Sequence, residues 1–206
     1  MDVIEPRQLA IRPYRPDDLD AVYAICLRTG DAGGDATMLY RDPRLIGHVY
    51  AGPYVTLEPD LCFVLADPGA VFGYVLGTRD SLRFERLCER NWFVQLRQRY
   101  PAPAADDPSR DARMKRLIHM GYRADADLTA WPAHLHIDLL PSVQRKGWGG
   151  RLLRVFLDRL RELHVGGVHL LTGPSNPRAM AFYRQAGFTP IKTSASTIAY
   201  GMSLHG

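Results

Sequence analysis

Between His134 and Gly150 the chain reads HLHIDLLPSVQRKGWGG, an apolar strand-like run that breaks at Pro141 and turns through a glycine-rich loop into an amphipathic helical pattern. This stretch constrains the fold most tightly, because a strand must be delivered through a short loop onto the first turn of a helix. That turn leaves backbone N–H groups without intrahelical partners, and the aligned peptide dipoles place partial positive charge on it. Gly147, Gly149 and Gly150 carry no Cβ to hold a ligand away from the backbone, and Arg145 and Lys146 add formal charge. A diphosphate is the expected occupant.

Glycine spacing narrows which diphosphate. A P-loop requires G-x-x-x-x-G-K-[ST], which is absent. A dinucleotide fingerprint requires G-x-G-x-x-G, but Leu152 stands where the third glycine belongs and no acidic residue follows at the required distance. What remains is Q-x-x-G-x-G at Gln144, Gly147 and Gly149, followed by the run NPRAMAFYRQAGF from Asn176 to Phe188. In this order the two segments resemble the signature segments of the GCN5-related N-acetyltransferases (GNAT). The resemblance implies a mixed α/β fold, with a central, mostly antiparallel twisted sheet splayed between strands 4 and 5 and flanked by helices. It implies acetyl-CoA wedged in that gap. Backbone groups of Leu139 and Leu140 would then bond the pantetheine arm. Gln144, Arg145, Lys146, Gly147, Trp148, Gly149 and Gly150 would hold the diphosphate, Asn176 would lie beside the thiol end, and Tyr183 would face the sulfur as the acid.

Composition bounds the rest. With 206 residues, 46% of them hydrophobic, the chain can bury one sizeable core, so a single domain over 1–206 is expected, with a helical insertion at about 79–131. The net charge of +4 is spread through helical segments and does not form a basic tail, which suits an anionic cofactor better than a nucleic acid. Cys26, Cys62 and Cys88 lie in apolar segments without C-x-x-C spacing and read as reduced, buried thiols. The first ten residues carry no apolar run, and no stretch approaches the ~20 apolar residues of a membrane span, so a cytoplasmic protein without a membrane partner is expected. No motif encodes the oligomeric state, monomer or homodimer.

Periodicity gives alternating elements. Leu9 to Arg12 reads as a short strand, and Pro16-Asp17-Asp18 opens a helix with stripe Leu19, Val22, Ile25 and Cys26, stopped by Gly30. Asp42-Pro43 begins a short helix through Val49, and Gly52 to Asp60 reads as a connecting segment. Leu61 to Ala66 and Val71 to Leu76 flank Asp67-Pro68-Gly69 as an antiparallel hairpin. Phe84, Cys88, Trp92, Leu96 and Tyr100 keep helical spacing, and a further helix covers 111–120. After the strand at 134–140 come a helix from Gly150 to His164, a buried strand at 168–172, a helix capped by Asn176 and closed by Gly187, and a last strand alternating Ile198, Tyr200, Met202 and Leu204.

Acetyl transfer to an amine needs a base and an acid, because an ammonium must lose a proton before it attacks and the departing thiolate must regain one. Residues two apart on a strand share a face, so His134, His136 and Asp138 project together, and a neighbouring carboxylate would orient an imidazole and raise its pKa. The three stay open as candidate bases. The H-L-H is also similar to the paired histidines of arylalkylamine N-acetyltransferases, which line the amine site. Read instead as a metal site, H-x-H-x-D lacks the following histidine and any second cluster of ligands, so no metal is expected.

A narrower resemblance covers the N-terminal half. Arg12-Pro13-Tyr14, Asp35-Ala36-Thr37, Leu45-Ile46-Gly47, the run GPYVTLEPDLCFV at 52–64 and Gly73 to Thr78 are similar to the acetyltransferase-like domain of animal O-GlcNAcase and its stand-alone bacterial relatives. The glycine loop is degraded in the animal domain, whereas Gln144 to Gly150 is intact here, which implies retained cofactor binding. In that arrangement 52–60 borders the acceptor, and Tyr54, Asp60 and Asp35, with Asp31 nearby, could hold a cationic amine. The expected function is N-acetyl transfer to a primary amine of a small molecule or peptide. The alternative is a non-catalytic module that binds acyl-CoA or a protein.

Overall fold

The computed structural model describes residues 8–205. A short strand, β1 (Ala10–Pro13), leads through a 3-10 turn at Pro16–Asp18 into helix α1 (Leu19–Arg28), whose Val22, Ile25 and Cys26 are buried. Arg12 donates to both carboxylate oxygens of Asp18 at 2.7 Å and ties the strand to the helix start. Next come α2 (Leu45–Tyr50) and α3 (Gly52–Leu57). The segment expected as a connection is therefore mostly helix. Pro53 sits in its first turn, where a missing N–H breaks no bond, and Tyr54 and Val55 are buried.

The hairpin pairs β2 (Cys62–Ala66) with β3 (Val71–Thr78), and Asp67 closes its turn by accepting from the Gly69 and Ala70 amides at 2.8 Å. Helices α4 (Ser81–Cys88) and α5 (Val94–Arg99) are joined by one π turn, Glu89–Phe93. That turn adds a residue to the helical count, so Phe93 is buried where unbroken spacing pointed to Trp92. Trp92 instead donates its indole N–H to the His48 carbonyl at 2.8 Å. Helix α6 (Arg110–Met120) precedes β4 (Ala133–Leu139), and α7 (Trp148–Glu162) begins two positions before the expected Gly150. The chain finishes with β5 (Gly167–Thr172), α8 (Pro177–Gln185), β6 (Thr189–Thr193) and β7 (Ile198–Ser203). Strand β6, mostly exposed at the sheet edge, has no apolar alternation to reveal it.

The seven strands form one sheet in the order β1-β2-β3-β4-β5-β7-β6, antiparallel except between β4 and β5. Those two pair only through Ala133 with Val168 and His134 with His169, then part, which is the splay the sequence implied. In register with β3, His134 lies opposite Thr78, His136 opposite Leu76 and Asp138 opposite Tyr74. Strand alternation puts these three on the face covered by α1 to α3 and turns Leu135, Ile137 and Leu139 toward α7. Gly77 allows α7 close to the sheet, because a Cβ there would come within 2.4 Å of the Phe156 ring. No helix among the described residues is long and apolar enough to cross a membrane.

Candidate active site

The parted strands leave backbone groups exposed in the gap. Leu140 is not among them, contrary to expectation: its amide donates to the Phe72 carbonyl at 2.8 Å and its carbonyl accepts from Val143 at 3.0 Å. Alternation then turns the backbone of Ile137 and Leu139 toward the side where β5 has left. Gln144, expected against the diphosphate, uses its side-chain amide on the Leu139 carbonyl at 2.8 Å and braces the mouth of the gap.

From there the loop coils into α7. Arg145 at φ 58° and Gly147 at φ 80° are left-handed, and the amides of residues 145–150 find no acceptor among the described residues. The first bond back is from Arg151 to the Gly147 carbonyl at 3.2 Å. A methyl at Gly147 or Gly150 would meet nothing within 4 Å, so both look onto open space, with exposed Arg145 and Lys146 beside them. Gly149 instead packs, its would-be Cβ 3.4 Å from Phe182 and 3.7 Å from Leu139. Trp148 lies under the Arg151 guanidinium at 4.6 Å. A turn of free, positively polarised amides is the chemistry that a diphosphate requires.

At the far end of the gap lie the histidines. His134 is buried and both its nitrogens are engaged, Nδ1 at 2.7 Å from Ser81 Oγ and Nε2 at 2.8 Å from the Tyr54 hydroxyl. It is therefore withdrawn from the candidate bases. The Tyr54 hydroxyl also lies 3.1 Å from His136 Nε2. Hydrogen placement follows from the network. Ser81 Oγ donates to the Pro132 carbonyl at 2.8 Å, so it accepts from His134 Nδ1–H. His134 Nε2 then accepts from Tyr54, and the Tyr54 oxygen accepts from His136 Nε2–H. The open lone pair is on His136 Nδ1, which makes no hydrogen bond among the described residues.

His136 and Asp138 line a cavity of about 190 Å³ between β4, α1, α2 and α6. Asp138 accepts from the Tyr74 hydroxyl at 2.7 Å and does not contact an imidazole. The expected carboxylate–imidazole support is therefore absent. Desolvation instead pushes His136 down to about 4 and raises the Asp138 carboxyl against the pull of its Tyr74 and Thr29 bonds. At neutral pH His136 is a neutral imidazole that lines the cavity, and its Nδ1 makes no hydrogen bond among the described residues.

Tyr183, from α8, is buried among Phe182, Phe188 and Tyr200, yet its hydroxyl makes no hydrogen bond among the described residues. Burial and the nearby Asp138 charge raise its pKa, so it stays protonated. Asn176 caps α8 by accepting from the Ala179 amide at 3.1 Å, and its Nδ2 lies 3.8 Å from where Gly33 would carry a Cβ. The Gly30 to Gly34 loop thus sits beside the head of α8. Asp35, in that region, is exposed and accepts from both the amide and the hydroxyl of Thr37. Asp60 is exposed in the turn after α3 and does not line the cavity, and Tyr54 is interior, 2% exposed, with its hydroxyl spent on the two histidines. Ser81, Tyr74, Arg110 and Arg113 were not singled out by the sequence. The Tyr74–Asp138 pair depends on strand register, and only the i, i+3 spacing of the two arginines was a visible signal.

A splayed mixed sheet with an amide-lined loop at its gap defines an acetyltransferase architecture, and the chain belongs to the GNAT family. The sequence model of the Acetyltransferase (GNAT) family matches residues 118–188. The crystal structure of SsHAT is 42% identical, superposes with a TM-score of 0.92 and aligns 97% of this chain with 100% of that one. The rat (Rattus norvegicus) Protein O-GlcNAcase is 27% identical over 183 residues, 86% of this chain but 20% of its own length, so this chain spans about a fifth of that relative. The yncA protein of Salmonella typhimurium, solved with its cofactor acetyl-CoA, is 13% identical and shares the fold at a TM-score of 0.56, over 97% of this chain and 96% of its own.

Proposed function

We propose that this chain binds acetyl-CoA and transfers the acetyl group directly to a primary amine held in the His136–Asp138 cavity. The observation that carries the reading is one run of chain that offers all three parts. Six unpaired amides (residues 145–150) follow a strand whose Ile137 backbone and Leu139 amide face the side that β5 has left, and the same strand brings His136 and Asp138 to a cavity. The loop amides with Arg145 and Lys146 would hold the diphosphate, and the edge of β4 would hold the pantetheine arm. When bound, acetyl-CoA supplies an activated thioester.

The chain supplies proton control and orientation. His136 Nδ1 accepts the proton that the amine loses, while Tyr54, fixed by His134 and Ser81, holds the ring in that tautomer. A base of pKa about 4 is weak, which favours amines that arrive already deprotonated. Tyr183 keeps its proton and presents it at the thiol end. Because this transfer to a thiolate is uphill, it would run together with C–S bond cleavage, and the Tyr183 phenolate would regain its proton from solvent once the products leave. Tyr183→Phe should lower kcat on the order of 100-fold or more with the acetyl-CoA Kd nearly unchanged, read by free-thiol release and isothermal titration. Two outcomes overturn the reading: no saturable acetyl-CoA binding, or saturable binding with no thiol release across neutral, cationic and anionic amines, including aminoglycosides, polyamines, amino acids, phosphorylated amines and peptides.

A further inference from the structure

The cavity has a side that amine transfer alone leaves unexplained. Arg110 and Arg113 stand three apart on α6, on one face of the helix, and both line the cavity opposite His136 and Asp138. Arg110 meets only Asp31, at a loose 3.6 Å. Arg113 makes no ion pair among the described residues. Their charge reaches inward, since both pull down the pKa of the Tyr40 hydroxyl and Arg113 does the same to Tyr50, two further lining residues. The acidic groups that face this basic wall are Asp31 at the rim and Asp138 on β4. A plain amine or a polyamine entering here would meet two guanidinium groups, only one of them partly neutralised. Size restricts the guest as well: about 190 Å³ is smaller than the roughly 300–1,000 Å³ of sites for drug-sized ligands.

We infer that the acceptor is a small amine that also carries an anionic group, a carboxylate or a phosphate, which Arg110 and Arg113 take while the amine is presented to His136 and Asp138. This rests on the transfer reading above and adds the acceptor class to it. Guanidinium groups suit both anions, since their planar donors meet two oxygens at once. The opposite ends of the cavity then match the opposite ends of the guest, and the same charges reject cationic competitors.

The test pairs rates with binding. Rates of thiol release are compared for ethanolamine with phosphoethanolamine and for β-alaninamide with β-alanine, in the wild type and in Arg110→Ala, Arg113→Ala and Arg113→Lys. Both positions are exposed, so folding is not at risk. The anionic member of at least one pair should be preferred about tenfold or more in kcat/KM. Either alanine variant should reduce that preference about tenfold, chiefly through KM, and Arg113→Lys should restore part of it. Preference confined to phosphoethanolamine identifies a phosphate, and preference confined to β-alanine a carboxylate. Separately, inorganic phosphate and glutarate are titrated into protein saturated with coenzyme A, so that the diphosphate loop is already filled. Saturable binding that is lost in Arg113→Ala supports the proposal even if no amine is turned over, an outcome that would overturn only the transfer reading. Equal use of neutral and anionic amines, or no anion binding to the coenzyme-saturated protein, overturns the proposal and leaves coenzyme binding intact.

Discussion

At the residue scale, the sequence offers Tyr54 as a group to hold the acceptor, whereas in the structure it organises the site from inside. One hydroxyl joins two imidazoles, so its removal leaves His134 Nε2 buried without a partner and frees the His136 ring to turn. Tyr54→Phe should destabilise the fold by about 1–3 kcal/mol, the usual cost of orphaning a buried polar group, and should lower kcat more than it raises the acetyl-CoA Kd. Chemical denaturation and single-turnover rates check the two halves, and an unchanged kcat would remove Tyr54 from its positioning role. The pairing of His136 and Asp138 on one face was legible, because two-residue alternation needs only the strand. Their partners were not. Whether Asp138 meets an imidazole or Tyr74 depends on which residue β3 sets opposite it.

At the scale of elements, the helix that carries the anion loop is seated by a glycine on a different strand. A methyl at Gly77 would lie 2.4 Å from the Phe156 ring and 2.4 Å from the His134 carbonyl, the latter a backbone atom that cannot turn aside. Gly77→Ala should therefore cost about 1–3 kcal/mol through overpacking, seen as a lower urea midpoint at an unchanged m-value. Because α7 starts with the loop that faces the gap, acetyl-CoA affinity should fall with it. A variant as stable as the wild type would mean that the helix does not depend on this contact. The π turn at Glu89–Phe93 shows the limit of periodicity. Regular spacing fits the ladder up to Cys88 and again from Leu96, and one inserted residue exchanges the roles of Trp92 and Phe93 between those points.

At the scale of the whole molecule, buried neutral histidines set the response to acid. Burial lowers the pKa of His48, His134, His136 and His169, with His48 and His136 at about 4 against 6.5 when free. Between those values the unfolded chain binds more protons than the folded one. Their contribution is therefore complete above about pH 6.5 and is lost as pH falls toward 4. Asp138 and Glu58, raised by burial, work in the opposite sense, but they are two groups against four. The unfolding midpoint in urea should fall steadily from pH 7 to pH 4.5, and a flat or rising midpoint would contradict the buried neutral state. The sequence by itself determined most of the elements, though not α3 or β6, and the amide-lined loop, because glycine spacing, caps and alternation are properties of neighbouring residues, and its resemblance to the family implied the opened sheet. Only the tertiary structure decided that His134 is a structural partner, that Leu140 and Gln144 are committed to the protein, and that Arg110 and Arg113 line the same cavity as His136 and Asp138. Except for the Gln144–Leu139 bond, which depends on how the loop coils, each of those contacts joins segments far apart in the chain or depends on strand register, and no local pattern encodes the distance between them.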